Sequence, residues 1–333
     1  MTKRERIKNA IEHRAGDKCP HNIELTSGAM QQFCAFAGFS KEEFPVFADN
    51  HIEKLSFNGG KEISEGHFQD EYSVVWNRTG PDKDIGIIEK YILENAGISS
   101  LVMPEVNAAE IEAKSRAFLA NGTYTFKLAK IGILLFERAW SLRGMENLFF
   151  DMYNDEEFVE VLLDKITSYN LEIIGEALKY DFDGFYFGDD YGQQHGILMS
   201  PVIWRKFFKP CLARMFEPIK RKGLPVMLHS CGNIELILPD LIEIGLDVYQ
   251  TVQPEIYDLE KLKKNYGSEL CFYGAVSTQK TLAFAEPDEL KTVIRNTIKT
   301  MDNNGGYICA PTHQIQADVP PENVMAMIDT LRG

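Results

Sequence analysis

Positive charge is scarce along this chain: 35 lysines and arginines face 49 aspartates and glutamates, for a formal net charge of −14 over 333 residues. Nucleic acids and anionic membranes are gripped by accumulated positive charge, so this balance excludes a general binder of either. A small anion held by a few local cations remains compatible with it. Long hydrophobic runs are absent too. None approaches the roughly 18 consecutive apolar residues of a membrane span, and the charged start, residues 1–6, leads into no secretory apolar core. Six cysteines are too few for a disulfide framework in a chain of this length. Together these absences point to a cytoplasmic protein with reduced thiols. The glycine-rich fingerprints GxGxxG and GxxxxGK[ST], which cradle dinucleotides and phosphates, are also missing, as are exact internal repeats and low-complexity linkers.

What is present is an ordinary globular composition, 44% hydrophobic and 25% charged, sufficient to bury a large core. Thr2 and Glu5 form a capping-box pair ahead of Ile7, Ala10 and Ile11, which predicts an amphipathic helix over residues 2–13. Up to about residue 120 the pattern is less regular. Phe33, Phe36, Phe39, Phe44 and Phe47 predict short helices broken by Gly38 and Pro45, and residues 72–76 read as a strand closed by Thr79-Gly80-Pro81. From about residue 124 strands and helices alternate. Strands are expected near 125–135, 184–187, 225–228, 247–249, 270–273 and 307–309, with helices over 155–180, 201–222, 234–244 and 287–303 between them.

Such βα alternation predicts a parallel sheet with crossover helices. Polar, cysteine or histidine residues stand at the C-terminal ends of five of these strands. In a barrel those ends converge on one mouth, whereas an open sheet gathers its site at a single switch point. The pattern therefore favours an α/β fold of the (β/α)8 TIM-barrel type, one domain over 1–333 with an N-terminal elaboration in residues 1–120.

The sharpest chemical feature is His229-Ser230-Cys231. Strand side chains return to the same face every second residue, so His229 and Cys231 can face one site. Imidazole nitrogen and thiolate sulfur suit Zn²⁺, and Cys309, also at a predicted strand end, is the candidate third ligand. Cys211 and Cys271 sit in apolar helix and strand patterns and read as core. Asp189 and Asp190 follow an aromatic strand; adjacent residues of an extended chain point opposite ways, so one of them suffices to enter the mouth as a base or substrate-orienting carboxylate. His313 is a candidate acid–base group. Tyr191, Gln250 and Gln253 are candidate substrate-binding wall residues.

The run Asp181-Phe182-Asp183-Gly184-Phe185-Tyr186-Phe187-Gly188-Asp189-Asp190 resembles the aspartate-bearing strand of the uroporphyrinogen decarboxylase superfamily. The segment from Gly223 to Asn233, with its His-Ser-Cys-Gly, resembles the zinc-bearing, corrinoid-dependent methyltransferase branch. Ser200-Pro201, Gly274, Gly305-Gly306-Tyr307-Ile308-Cys309, His313 and Pro321-Glu322-Asn323-Val324 extend the likeness. It spans residue 155 or so to the C-terminus. The resemblance implies zinc at His229, Cys231 and Cys309, cobalamin (a corrinoid) carried by a partner protein, and methyl transfer between that corrinoid and a thiol, tetrahydrofolate or a methylated compound. The superfamily's decarboxylases use N-terminal arginines to hold an acidic tetrapyrrole. Here the matching stretch, Cys19-Pro20-His21-Asn22-Ile23-Glu24-Leu25, lacks them. A metal-independent carboxy-lyase, a zinc hydrolase and a non-enzymatic binding barrel are the alternatives.

Overall fold

The strand residues alternate between two apolar environments, and this builds a closed ring. In the computed structural model, which describes residues 1–80, 86–95 and 97–333, seven parallel strands lie side by side in chain order: β1 (Ile52–Ser56), β2 (Phe126–Ile131), β3 (Gly184–Gly188), β4 (Val226–His229), β5 (Val248–Val252), β6 (Cys271–Val276) and β7 (Tyr307–Pro311). The gap between β7 and β1 is spanned by an extended segment, residues 20–25. His21 bridges to Cys309 and Leu25 to Ile315, both in parallel. Asn22 N donates to Cys309 O at 3.1 Å, and His51 N, just ahead of β1, donates to His21 O at 3.1 Å. The amide of Asn50 exchanges hydrogen bonds with both backbone groups of Ile23, at 2.8 Å each. The ring is thus an eight-staved α/β barrel whose eighth stave is short and irregular. Residues 1–120, expected as an elaboration, supply two of its staves.

Register decides which side chains enter the ring. Ile52, Phe126, Leu128, Tyr186, Met227, Val248, Cys271, Tyr273, Ile308 and Ala310 form the inner cluster, closed by Ile7 and Ala10 of the helix Lys3–Ile11. That helix begins with the expected capping box of Thr2 and Glu5. Phe185, Phe187, Leu228, Tyr249, Phe272, Tyr307 and Cys309 belong to the outer layer, between strands and helices. Continuing the inward parity toward the C-terminal ends gives Lys54, Lys130, His229 and Gln250: an apolar floor under a polar mouth.

The outer helices include Glu156–Ala177 and Pro287–Met301, close to the expected bounds. The single helix expected over 201–222 is two, Pro201–Phe207 and Lys209–Arg221. Pro210 in the first turn of the second has no N–H to continue the ladder of the first. A four-stranded antiparallel sheet (Gly60–Ser64, His67–Asp70, Val75–Asn77 and Ile87–Ile88) follows β1. The strand expected over 72–76 starts only at Val75, because the Asp70 carboxylate gathers Tyr72 N, Val74 N and Trp76 Nε1, each at 3.0 Å, into a turn. Pro81 of the expected closing turn lies outside the described residues. Arg138 pins this sheet to the barrel through Asp70 at 2.5 Å and Glu71 at 3.1 Å, all three side chains being almost wholly enclosed. Among the described residues no helix is long and apolar enough to cross a membrane.

Candidate functional site

At the end of β4 the chain turns at Gly232, whose φ of +78° brings its backbone against Gly192. A Cβ there would meet the Gly192 carbonyl carbon at 2.2 Å, so only glycine lets the 230–233 loop fold so tightly. The loop is fastened from three sides. Ser230 N donates to Gln250 O, Gly232 N donates to the Gln253 side chain at 2.8 Å, and Cys231 N donates to Asp190 Oδ1 at 2.8 Å.

These bonds aim Cys231 back over His229, with Sγ 3.4 Å from His229 Nε2. The imidazole of His313, on the loop after β7, stands edge-on to that of His229 with ring centroids 5.7 Å apart. One donor atom from each of His229, Cys231 and His313 lies within 4.8 Å of the other two. The Sγ–Nε2 separation is close to one edge of a zinc tetrahedron built from Zn–S and Zn–N bonds of about 2.3 and 2.0 Å. His229 Nδ1 is hydrogen-bonded to Gln250 Oε1, which also accepts from Tyr186 OH at 2.8 Å. With its Nδ1 proton held by an amide oxygen, His229 presents the Nε2 lone pair to the mouth. Burial, then the neighbouring Asp190 and Glu137 carboxylates, push the Cys231 thiol up. A free thiolate is therefore disfavoured here, and a bound dication would reverse that. The donor set fits a zinc ion.

Cys309, the expected third ligand, is not brought to this group. The inward residues of β7 are Ile308 and Ala310, so the intervening Cys309 faces the outer layer, fully buried beside Tyr307 and Cys19. The donor atom that does lie with those of His229 and Cys231 belongs to His313, expected as an acid–base group.

The two aspartates part as their alternation requires. Asp189 shares the outer-layer parity of Phe185 and Phe187 and is fully buried: its carboxylate accepts from Phe136 N at 2.9 Å, Glu137 N at 2.8 Å and Tyr191 OH at 2.5 Å. Burial pushes its carboxyl up to about 6 against the pull of these donors. Its place is under the first turn of the helix Phe136–Arg143 rather than in the mouth. Tyr191 is likewise wholly buried, among Phe136, Trp204 and Phe208. Asp190 is the half-open carboxylate, 3.5 Å from His229 Nε2. Gln250 and Gln253 hold His229 and the loop.

Sequence reasoning missed three charged residues of the mouth, Glu137, Lys54 and Lys130, and met a fourth, Glu24, only in the stretch compared with the decarboxylases' arginines. Glu137 faces Asp190, and burial together with that neighbour and Asp189 pushes its carboxyl well up. Glu24, Lys54 and Lys130 stand on the opposite wall, where Glu24 is ion-paired to Lys54. Odd-even counting along β1 and β2 was the available signal for both lysines.

A second group of donors, His21, Asp49 and His51, lies at the opposite, N-terminal end of the strands. His51 Nδ1 accepts from His21 N at 3.2 Å, so its Nε2 carries the proton toward Asp49 at 3.8 Å. Asp49 is also paired with Lys3 and Lys18. Two ammonium groups and a protonated Nε2 make this a structural cluster, not a cation cradle.

The family model described as uroporphyrinogen decarboxylase (URO-D) matches residues 136–333. A uroporphyrinogen decarboxylase of Geotalea daltonii is 24% identical over 182 residues, 54% of this chain, and the match spans 50% of that protein's length. A protein of Methanosarcina barkeri named methylcobamide:CoM methyltransferase MtaA is 27% identical over 131 residues, 39% of this chain and 36% of its own. Among solved structures, a methyltransferase from Methanosarcina mazei superposes with a TM-score of 0.74 at 18% identity, covering 100% of this chain and 98% of that one. This last likeness shows a shared fold.

Proposed function

Because the chain belongs to the uroporphyrinogen decarboxylase family, whose model matches more than half of it, we propose that it is a zinc-dependent methyltransferase of that superfamily, moving a methyl group between a corrinoid protein and a small acceptor or donor. The observation that carries this reading is the convergence of His229 Nε2, Cys231 Sγ and the His313 imidazole at the barrel mouth. The family's metal-free decarboxylases have no need of such a set. The name of the Methanosarcina barkeri relative gives methylcobamide and CoM as its reactants; here the corrinoid's place is on a partner protein.

Two neutral imidazoles and one thiolate would leave the ion a net single positive charge, and zinc so held would supply Lewis acidity that lowers the pKa of a bound thiol or water. The chain's own residues do the rest. Gln250 fixes the His229 ring, and Asp190 fixes the Cys231 backbone. Burial, then the neighbouring Asp190 and Asp189 carboxylates, push the Glu137 carboxyl well up and favour its protonated form. The half-open Asp190 carboxylate, beside His229, is placed to take up the proton an acceptor thiol or hydroxyl releases and to return it in the reverse direction. Alignment of the acceptor atom in the mouth accounts for the remaining rate.

The test is zinc content by elemental analysis of the parent protein beside Cys231→Ser, His313→Ala and Cys309→Ser. The parent and Cys309→Ser are expected to retain about one zinc per chain and the other two to lose it while still folded. Loss in Cys309→Ser with retention in His313→Ala would restore the ligand set expected from the sequence. A parent protein that takes up no zinc would return the reading to a metal-free carboxy-lyase.

A further inference from the structure

Two of the three metal-type donors are held by side chains. Gln250 fixes the ring of His229, and Asp190 fixes the backbone of Cys231. His313 has no such hold: among the described residues no side chain hydrogen-bonds its imidazole, which stands edge-on to His229. The place of that ring is therefore set by its backbone.

The backbone is set by two threonines. The β6–β7 ladder ends at the pair Val276 and Pro311, and Thr312 N then donates to Val276 O at 2.9 Å. Beyond that point the contact continues through side chains. Thr278 N donates to Thr312 Oγ1 at 3.2 Å, and the two Oγ1 atoms lie 2.9 Å apart with a hydroxyl hydrogen between them. Thr312 is 2% exposed, so little water reaches the bridge to compete for it. β-Branching stiffens both side chains and keeps the hydroxyls pointed along one direction.

Both ends of the arrangement are anchored. Ser277, as deeply buried as Thr312, donates through Oγ to Glu255 on the loop after β5 and accepts from Lys280 N at 2.9 Å. On the far side, Ile315 N donates to Glu24 O at 2.8 Å and Thr26 N to Ile315 O at 2.9 Å, which ties the loop to the eighth stave. His313 is slung between these two ties, next to the threonine bridge. The five residue pairs of the ladder already join β6 to β7, so the bridge adds little to closure of the ring. What it governs is the short loop behind it.

We propose that Thr312 and Thr278 are positioning residues for His313: their buried hydroxyl bridge holds the loop after β7 so that the imidazole meets His229 and Cys231. The placement of the ring stands on the bridge itself, while its effect on metal retention rests on the zinc reading. Donors of a metal site must be held within about 0.5 Å of their working places. Loss of a group that orients a ligand costs about 10–100-fold in metal affinity, and a group acting through the backbone belongs at the lower end of that range.

The experiment compares the parent with three variants. Thr312→Ser keeps the hydroxyl, Thr312→Val removes it at nearly the same volume, and Thr278→Val removes only its partner. Zinc affinity of the folded proteins is measured by chelator competition, and the visible d–d absorption of the cobalt(II)-substituted proteins reports the donors around the ion. Contact between the His229 and His313 rings is followed by nuclear Overhauser effects in metal-free, histidine-labelled protein. Thr312→Val is expected to bind zinc about tenfold more weakly, to give the cobalt spectrum of His313→Ala and to lose the ring contact. Thr278→Val should shift all three in the same direction by less, and Thr312→Ser should match the parent. A Thr312→Val variant that melts earlier but keeps the parent's ring contact, zinc affinity and cobalt spectrum makes the bridge a staple of the fold and overturns the proposal. Absence of the ring contact in the parent, or a Thr312→Ser variant that behaves like Thr312→Val, overturns it equally. A parent that takes up no metal, with a ring contact that Thr312→Ser keeps and Thr312→Val loses, overturns the zinc reading and leaves the positioning role standing. Should Thr312→Val fail to fold, Thr278→Val decides by the same three readouts.

Discussion

Asp189 and Asp190 are neighbours in sequence, yet their removal is expected to do opposite things. Asp189→Ala deletes the acceptor for Phe136 N, Glu137 N and Tyr191 OH and leaves all three donors in a fully buried site. Hydrogen bonds to a charged acceptor contribute about 1.5–3 kcal/mol each, but they are not additive, and relief of the carboxylate's own burial offsets part of the loss. A net destabilisation of about 3–5 kcal/mol follows. An unfolding entropy of about 2.1 cal/mol/K per residue gives about 0.7 kcal/mol/K for this length, so the melting temperature should fall by about 4–7 °C. Asp190→Ala loses one backbone hydrogen bond and a half-exposed contact with His229, and should fall by about 1 °C while weakening zinc retention. Asp189→Asn, which keeps one acceptor oxygen but turns an NH₂ toward a donor, should lie between. Thermal unfolding followed by circular dichroism measures all three. Equal melting temperatures for the two alanine variants, or an Asp189→Ala variant within 2 °C or so of the parent, would refute the division of labour argued here.

Other consequences are open to measurement. Burial holds His21 at about 4 and His51 at about 3, below the ordinary histidine value of 6.5. The unfolded chain therefore binds more protons than the folded one between those values, so stability is complete above pH 6.5 and is lost as pH falls toward 4, by about 3 kcal/mol from His21 alone. Urea midpoints across that range should decline, with a shallower slope in His51→Gln; an unchanged slope would contradict the burial argument. Arg138→Met leaves Asp70 and Glu71 enclosed without their cation and should cost about 3 kcal/mol. Asp70 retains three other donors, so the loss should fall mainly on docking of the antiparallel sheet and appear as faster proteolysis within residues 60–80.

The sequence disclosed the barrel because its strands after residue 124 are short, apolar and separated by helices of ordinary amphipathic pattern. It disclosed His229 and Cys231 because a period of two carries a strand-end histidine and the cysteine beyond it to one side. The same period, applied to Ile308-Cys309-Ala310, turns Cys309 outward, and a ligand assignment drawn from spacing and resemblance alone passed over it. The eighth stave escaped notice because residues 20–25 make little regular ladder. Asn22 and Asn50 side chains stand in for backbone partners there, and no propensity registers such bonds. Lys54 and Lys130 look like solvent-facing residues until the ring closes around them. Glu137 joins the site only through the Asp189 carboxylate that anchors its helix, a contact across half a hundred residues.

The stave formed by residues 20–25 also carries a consequence for assembly. It is held on one side by β1, its near neighbour in sequence, and on the other by β7, close to the far end of the chain. Until β7 is in place, the ring has two open edges with unpaired backbone donors and acceptors, each a template for pairing with another molecule. Contacts between such distant residues form late and slowly. The last turn of the barrel is therefore the step at which this protein is most exposed to aggregation, and the mouth's charged walls first face each other only when that step is complete.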